Sequence, residues 1–104
     1  MQIIETPEFT KRITSLLPDD EYKQLQQYLI GRPDAGALII GGAGLRKIRW
    51  SMSGRGKRGG LRTIYYWNHG EEIYMLFCYQ KNEQEDLSVK QLAVLRDYLQ
   101  RRLK

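Results

Sequence analysis

Two β-prone segments joined by a short turn constrain this chain more than any other feature. Residues 61–67 (Leu-Arg-Thr-Ile-Tyr-Tyr-Trp) and Glu72–Gln80 are rich in β-branched and aromatic side chains, and Asn68-His69-Gly70 lies between them. A tight turn joins antiparallel strands, so this pattern predicts a hairpin. A two-residue turn at His69-Gly70 would set Arg62 opposite Phe77 and Ile64 opposite Met75. On that register Arg62, Tyr66 and Tyr79 share a face, and Lys81 joins them if the strand extends that far. Residues 45–50 form a third β-compatible segment, in which alternation puts Lys47 and Arg49 on one face and Arg46, Ile48 and Trp50 on the other.

The N-terminal third has a different period. Thr6-Pro7-Glu8 opens a helix, with Thr as cap, Pro at the first helical position and an early acid. Phe9, Ile13, Leu16 and Leu17 follow at helical spacing until Pro18 stops the run. Asp19 or Asp20 then caps a second helix with Tyr22, Leu25, Tyr28 and Leu29 on one side, ended by Gly31 and Pro33. Ser88-Val89-Lys90-Gln91 is a capping-box pattern, and Leu92, Leu95, Leu99 and Leu103 form the stripe of a last helix. Gln2–Glu5 reads as a short first strand. The expected order is β-α-α-β-β-β-α. It describes a small single α+β domain over residues 1–104, with an antiparallel sheet packed by an N-terminal helical hairpin and a C-terminal helix.

The charge is uneven along the chain. Its 104 residues carry 17 Lys and Arg against 12 Asp and Glu, a formal charge of +5. Residues 1–44 hold four basic and six acidic groups, residues 63–104 hold six of each, and residues 45–62 hold seven basic groups and no acid. The whole excess therefore lies in Arg46, Lys47, Arg49, Arg55, Lys57, Arg58 and Arg62. Such a concentrated field points to a polyanion, with phosphate chains first. Aromatic residues are interleaved with these cations, a combination that holds single-stranded RNA through phosphates and stacked bases. A packed sheet also needs large side chains, so most of these rings serve the core. Tyr79, at a strand end beside Lys81, is the one singled out.

Several classes are excluded. With Cys78 and His69 each alone of its kind, an internal disulfide, a usual zinc site and a Ser-His-Asp arrangement are out of reach. Gly41-Gly42-Ala43-Gly44 lacks the Gly-Lys-Ser/Thr ending of a nucleotide loop. The apolar run at residues 73–79 is far shorter than the ~20 residues that span a bilayer. Met1-Gln2-Ile3-Ile4-Glu5 lacks the pattern of a signal peptide. A small, reduced, cytoplasmic domain without cofactor or metal is the expectation. Catalysis would have to use cations, phenols and carboxylates. Among the acids, Glu83, Glu85 and Asp86 could supply a base, although acids before a helix also complement its dipole.

Three motifs in the second half together resemble RelE/HigB-type toxins of bacterial type II toxin–antitoxin modules. They are Gly44-Leu45-Arg46-Lys47-Ile48-Arg49, then Gly56-Lys57-Arg58-Gly59-Gly60-Leu61-Arg62-Thr63-Ile64-Tyr65-Tyr66, then Tyr79-Gln80-Lys81-Asn82-Glu83. The resemblance implies a ribosome-dependent, metal-independent endoribonuclease that cleaves mRNA in the A site by attack of the RNA's own 2′-hydroxyl. By motif position it assigns Arg62 to the scissile phosphate, and Lys47 and Arg49 to phosphate stabilisation or proton transfer. Tyr79 and Lys81 complete the catalytic candidates. Arg46, Arg55, Lys57, Arg58 and Asn82 would grip flanking RNA or ribosomal RNA. Two departures stand out: Asn82 occupies a position where some relatives have arginine, and Ser88 falls near a base-stacking tyrosine, which Tyr79 would replace. The implied partners are a cognate antitoxin of helix-turn-helix type, the ribosome and mRNA. No membrane is implied, and operator DNA is reached only through the antitoxin complex. The alternative is a non-catalytic basic RNA- or ribosome-binding module.

Overall fold

The computed structural model describes residues 1–51 and 60–103. Its elements are β1 (Gln2–Glu5), α1 (Pro7–Leu16), α2 (Asp19–Gly31), β2 (Ala37–Leu38), β3 (Arg46–Trp50), β4 (Leu61–Asn68), β5 (Glu72–Gln80) and α3 (Val89–Arg102). The α+β class holds, with an N-terminal helical hairpin and a C-terminal helix around one sheet of order β1-β5-β4-β3-β2.

The sheet differs from the expected one in two respects. It is mixed: β2 to β5 are antiparallel, but β1 runs parallel to β5, with Gln2 opposite Glu72 and Glu5 opposite Met75. No tight turn joins these two strands, so nothing in the local sequence sets their relative direction. The second difference is β2, whose two residues pair with Lys47 and Arg46 and are too few to show alternation.

The hairpin register is also corrected. Asn68 pairs with Glu72, so the turn has three residues rather than two, and a bulge between Ile64 and Tyr65 sets Leu76 aside as an extra residue on β5. Arg62 consequently faces Tyr79 instead of Phe77, and Ile64 faces Phe77 instead of Met75. The net displacement at Arg62 is two residues, one full alternation period, so Arg62, Tyr66 and Tyr79 still share a face.

Thr6 holds the bulge in place. Its hydroxyl donates to the Leu76 carbonyl at 2.9 Å, accepts from Phe9 N–H at 3.0 Å as the cap of α1, and its own N–H donates to the Met75 carbonyl at 3.0 Å. At α3 both hydrogen bonds of the Ser88–Gln91 capping box form. In α2 the cap is Pro18 rather than an aspartate, and Asp19 and Asp20 occupy the first turn, where they complement the helix dipole.

Two cores flank the sheet. Phe9, Ile13, Leu25 and Leu29 of the helical hairpin pack on Tyr65 and Met75, whereas Leu99 of α3 joins Leu45, Ile64, Tyr74 and Leu76 on the opposite face. No helix among the described residues is long and apolar enough to cross a membrane.

Candidate functional site: a cationic row across three strands

On the face that carries α3, neighbouring strands align three polar side chains. Arg49 of β3 is directly opposite Arg62 of β4, and Arg62 is directly opposite Tyr79 of β5. Lys47 lies on the same face two residues before Arg49, opposite Ile64. Arg62 is only 7% exposed and Tyr79 is fully buried, while Arg49 is exposed and Lys47 is partly so. Like charges placed directly opposite on one sheet face destabilise it. Two guanidinium groups in that relation, one of them buried, make sense where an anion is to be received.

The chain supplies one anion of its own. Asp86, in the segment before α3, ion-pairs through Oδ1 with Lys47 Nζ at 2.6 Å. Lys47 holds the Asp86 carboxyl below the usual aspartate range, and Arg49 and Arg62 add to that effect. Burial pushes the Tyr79 hydroxyl above the ordinary phenol value, with Asp86 raising it further and Arg62 opposing. That hydroxyl has no hydrogen-bond partner among the described residues. A groove of about 1030 Å³ borders the cluster, with Lys47, Arg49, Trp50, Asp86 and Leu92 in its wall.

Other site candidates fall elsewhere. Arg46 points to the opposite face, where Nη1 donates to the carbonyls of Asp34 at 3.1 Å and Gly36 at 2.7 Å. It braces the loop between α2 and β2 together with Tyr65, whose hydroxyl accepts from Gly36 N–H at 2.8 Å and donates to the Pro33 carbonyl at 2.7 Å. Lys81 and Asn82 are exposed in the turn beyond β5, which ends at Gln80. That turn is tied to α1 by Arg12, whose Nε donates to the Cys78 carbonyl at 2.6 Å while Nη2 pairs with Glu83. Arg55, Lys57 and Arg58, with the connection that contains them, lie outside the described residues.

The sequence offers Asp86 as a possible base but gives no sign of its pairing with Lys47, and it does not single out Arg12. The acidic run before Ser88 was a visible signal, but its pairing with Lys47 spans 39 positions. Arg12 carried no signal, since a lone arginine on an amphipathic helix is an ordinary surface residue.

The arrangement suits neutralisation of a phosphodiester by closely spaced cations. Among the described residues, neither the one cysteine nor the one histidine supplies it with a nucleophile. Cys78 is buried on the other face with its thiol pushed up to about 12 by burial, and His69 is exposed in the β4–β5 turn against Trp67. The family model described as the RelE toxin of the RelE / RelB toxin-antitoxin system matches residues 1–104.

Proposed function

Because the chain belongs to the RelE toxin family, the toxin side of a toxin–antitoxin pair, we propose that it is a ribosome-dependent endoribonuclease that cuts mRNA in the ribosomal A site. The reading treats residues 1–104 as one toxin domain acting in the cytoplasm. It is held in check by an antitoxin of helix-turn-helix type, through which alone it meets operator DNA. In this reaction the 2′-oxygen bonds to the adjacent phosphorus, the bond to the 5′-oxygen breaks, and a cyclic phosphate and a free 5′-hydroxyl result. The 2′-hydroxyl gives up its proton and the departing oxygen takes one.

The observation that carries this reading is the direct opposition of Arg49 and Arg62 on one sheet face, with Lys47 beside them. Three cations converge on a spot that the protein itself neutralises with a single carboxylate. Arg62, buried and anchored in the middle strand, aligns the scissile phosphate, and Arg49 and Lys47 spread the charge that develops on its oxygens. Tyr79, directly opposite Arg62, is the phenol of the site. Lys81 and Asn82 contact RNA from the adjoining turn, and Arg55, Lys57 and Arg58 extend the grip to flanking or ribosomal RNA. Arg46 is occupied in bracing the loop and has the weakest case for contact.

Cleavage of mRNA on programmed ribosomes by wild type and Arg62→Ala tests the proposal. Intact message with wild type would overturn the nuclease. Equal cutting by the variant would remove Arg62 from its role.

A further inference from the structure

We propose that Asp86 is a built-in stand-in for the substrate phosphate, a carboxylate that occupies the cationic cluster at rest and is displaced when RNA binds. The inference rests on the phosphate-binding reading of Lys47, Arg49 and Arg62.

Four observations converge on it. Asp86 is the carboxylate that ion-pairs with this cluster among the described residues, and its partner is Lys47, at 2.6 Å. Its side chain is 72% exposed against 23% for Lys47, so it lies over the cation from the solvent side, the side from which a ligand arrives. An ion pair this exposed adds little to stability, which leaves the fold without a strong need for it. Finally, the backbone at Asp86 is tethered, whereas the hydrogen bond of its side chain among the described residues is the one to Lys47. Gln84 Nε2 donates to the Asp86 carbonyl at 2.9 Å and to Gln91 Oε1 at 2.8 Å, and the next residue, Leu87, packs against the core beside α3. Displacement therefore requires only side-chain rotation, with no unfolding of the segment.

The alternative role for this carboxylate is that of the base accepting the 2′-hydroxyl proton. Three cations that favour its ionised form make it a weak proton acceptor, and its place on Lys47 is the one that a phosphate oxygen would take. Competition for a shared cation follows from that position. The resting charge on Asp86 also offsets part of the repulsion between Arg49 and Arg62 until substrate replaces it.

Binding of a short single-stranded 2′-O-methyl RNA, which lacks the attacking hydroxyl and cannot be cut, separates these roles. Fluorescence anisotropy across a salt series would compare wild type, Asp86→Asn, Lys47→Met, the double variant and Glu85→Gln. Asp86→Asn is expected to tighten binding about three- to tenfold. Its plot of log K against log salt should also steepen by about 0.7, because Lys47 then releases a solution counterion rather than Asp86. Both gains should vanish in the Lys47→Met background. Glu85→Gln, an equal charge change one residue away, should produce neither.

Equal gains from Glu85→Gln would reduce the effect to net charge and overturn the proposal. Unchanged binding by Asp86→Asn with loss of mRNA cleavage would overturn it in favour of the base. No binding by any variant would remove the phosphate site itself. Binding that follows the expected pattern in a protein that cuts no message would leave this inference standing and overturn the nuclease reading alone.

Discussion

Arg62 and Tyr79 are direct partners across the β4–β5 ladder, both residues are buried, and the Tyr79 hydroxyl has no hydrogen-bond partner among the described residues. Arg62 also stands directly opposite Arg49, a like-charge relation that costs stability, and its retention marks a group kept for ligand. Arg62→Met preserves the volume of the side chain and removes the charge. It is expected to stabilise the free protein by about 1 kcal/mol, or roughly 4–8 °C in Tm, while abolishing message cleavage. Thermal denaturation beside the ribosome assay checks both halves. A lower Tm would assign Arg62 to the fold instead.

Tyr65 ties the loop after α2 to the sheet through one hydroxyl that serves both Gly36 N–H and the Pro33 carbonyl. Tyr65→Phe leaves two backbone groups without that partner and should cost about 1–3 kcal/mol. Urea denaturation should show an earlier midpoint with an unchanged slope.

The clasp between Arg12 and Glu83 gives stability a dependence on acid. Arg12 holds the Glu83 carboxyl below the usual glutamate range. A depressed folded value means that the contribution is complete above the unfolded glutamate pKa and is lost as pH falls from about 4.3 through the folded value. Wild type should therefore exceed Glu83→Gln in stability at neutral pH, with the gap closing below that point. Denaturant melts of the two proteins at pH 7 and under acid conditions measure it.

Cys78 is fully buried, and its thiol is raised to about 12. At pH 8 the native protein should resist thiol-specific reagents, and one equivalent should react once denaturant is added. Rapid labelling without denaturant would reveal an opening of the core beside α1.

Local signals are legible in the sequence where both partners lie within one turn of helix or along one strand. Thr6 before Pro7, the Ser88–Gln91 box, and the shared face of Lys47 and Arg49 are of this kind. The hairpin register was not legible, because the bulge at Leu76 is anchored by Thr6 from 70 positions away. A two-residue displacement at Arg62 keeps the parity, so alternation alone sets Arg62 and Tyr79 on one face although a two-residue turn would pair them differently. The Asp86–Lys47 pair is illegible for the same reason as the bulge: it joins segments that meet only in the folded chain. The parallel addition of β1 to β5 likewise has no local signature.

That edge strand has a consequence for the order in which the protein can be made. β1 is made well before β5, its neighbour in the sheet, which lies 70 residues further along the chain in the register of Gln2 with Glu72. Tyr79 and Asp86 belong to the same late-emerging stretch. A nascent chain thus carries its cations before it owns the strand that organises them. The cationic face can therefore be organised only after β5 and the segment through Asp86 have been made.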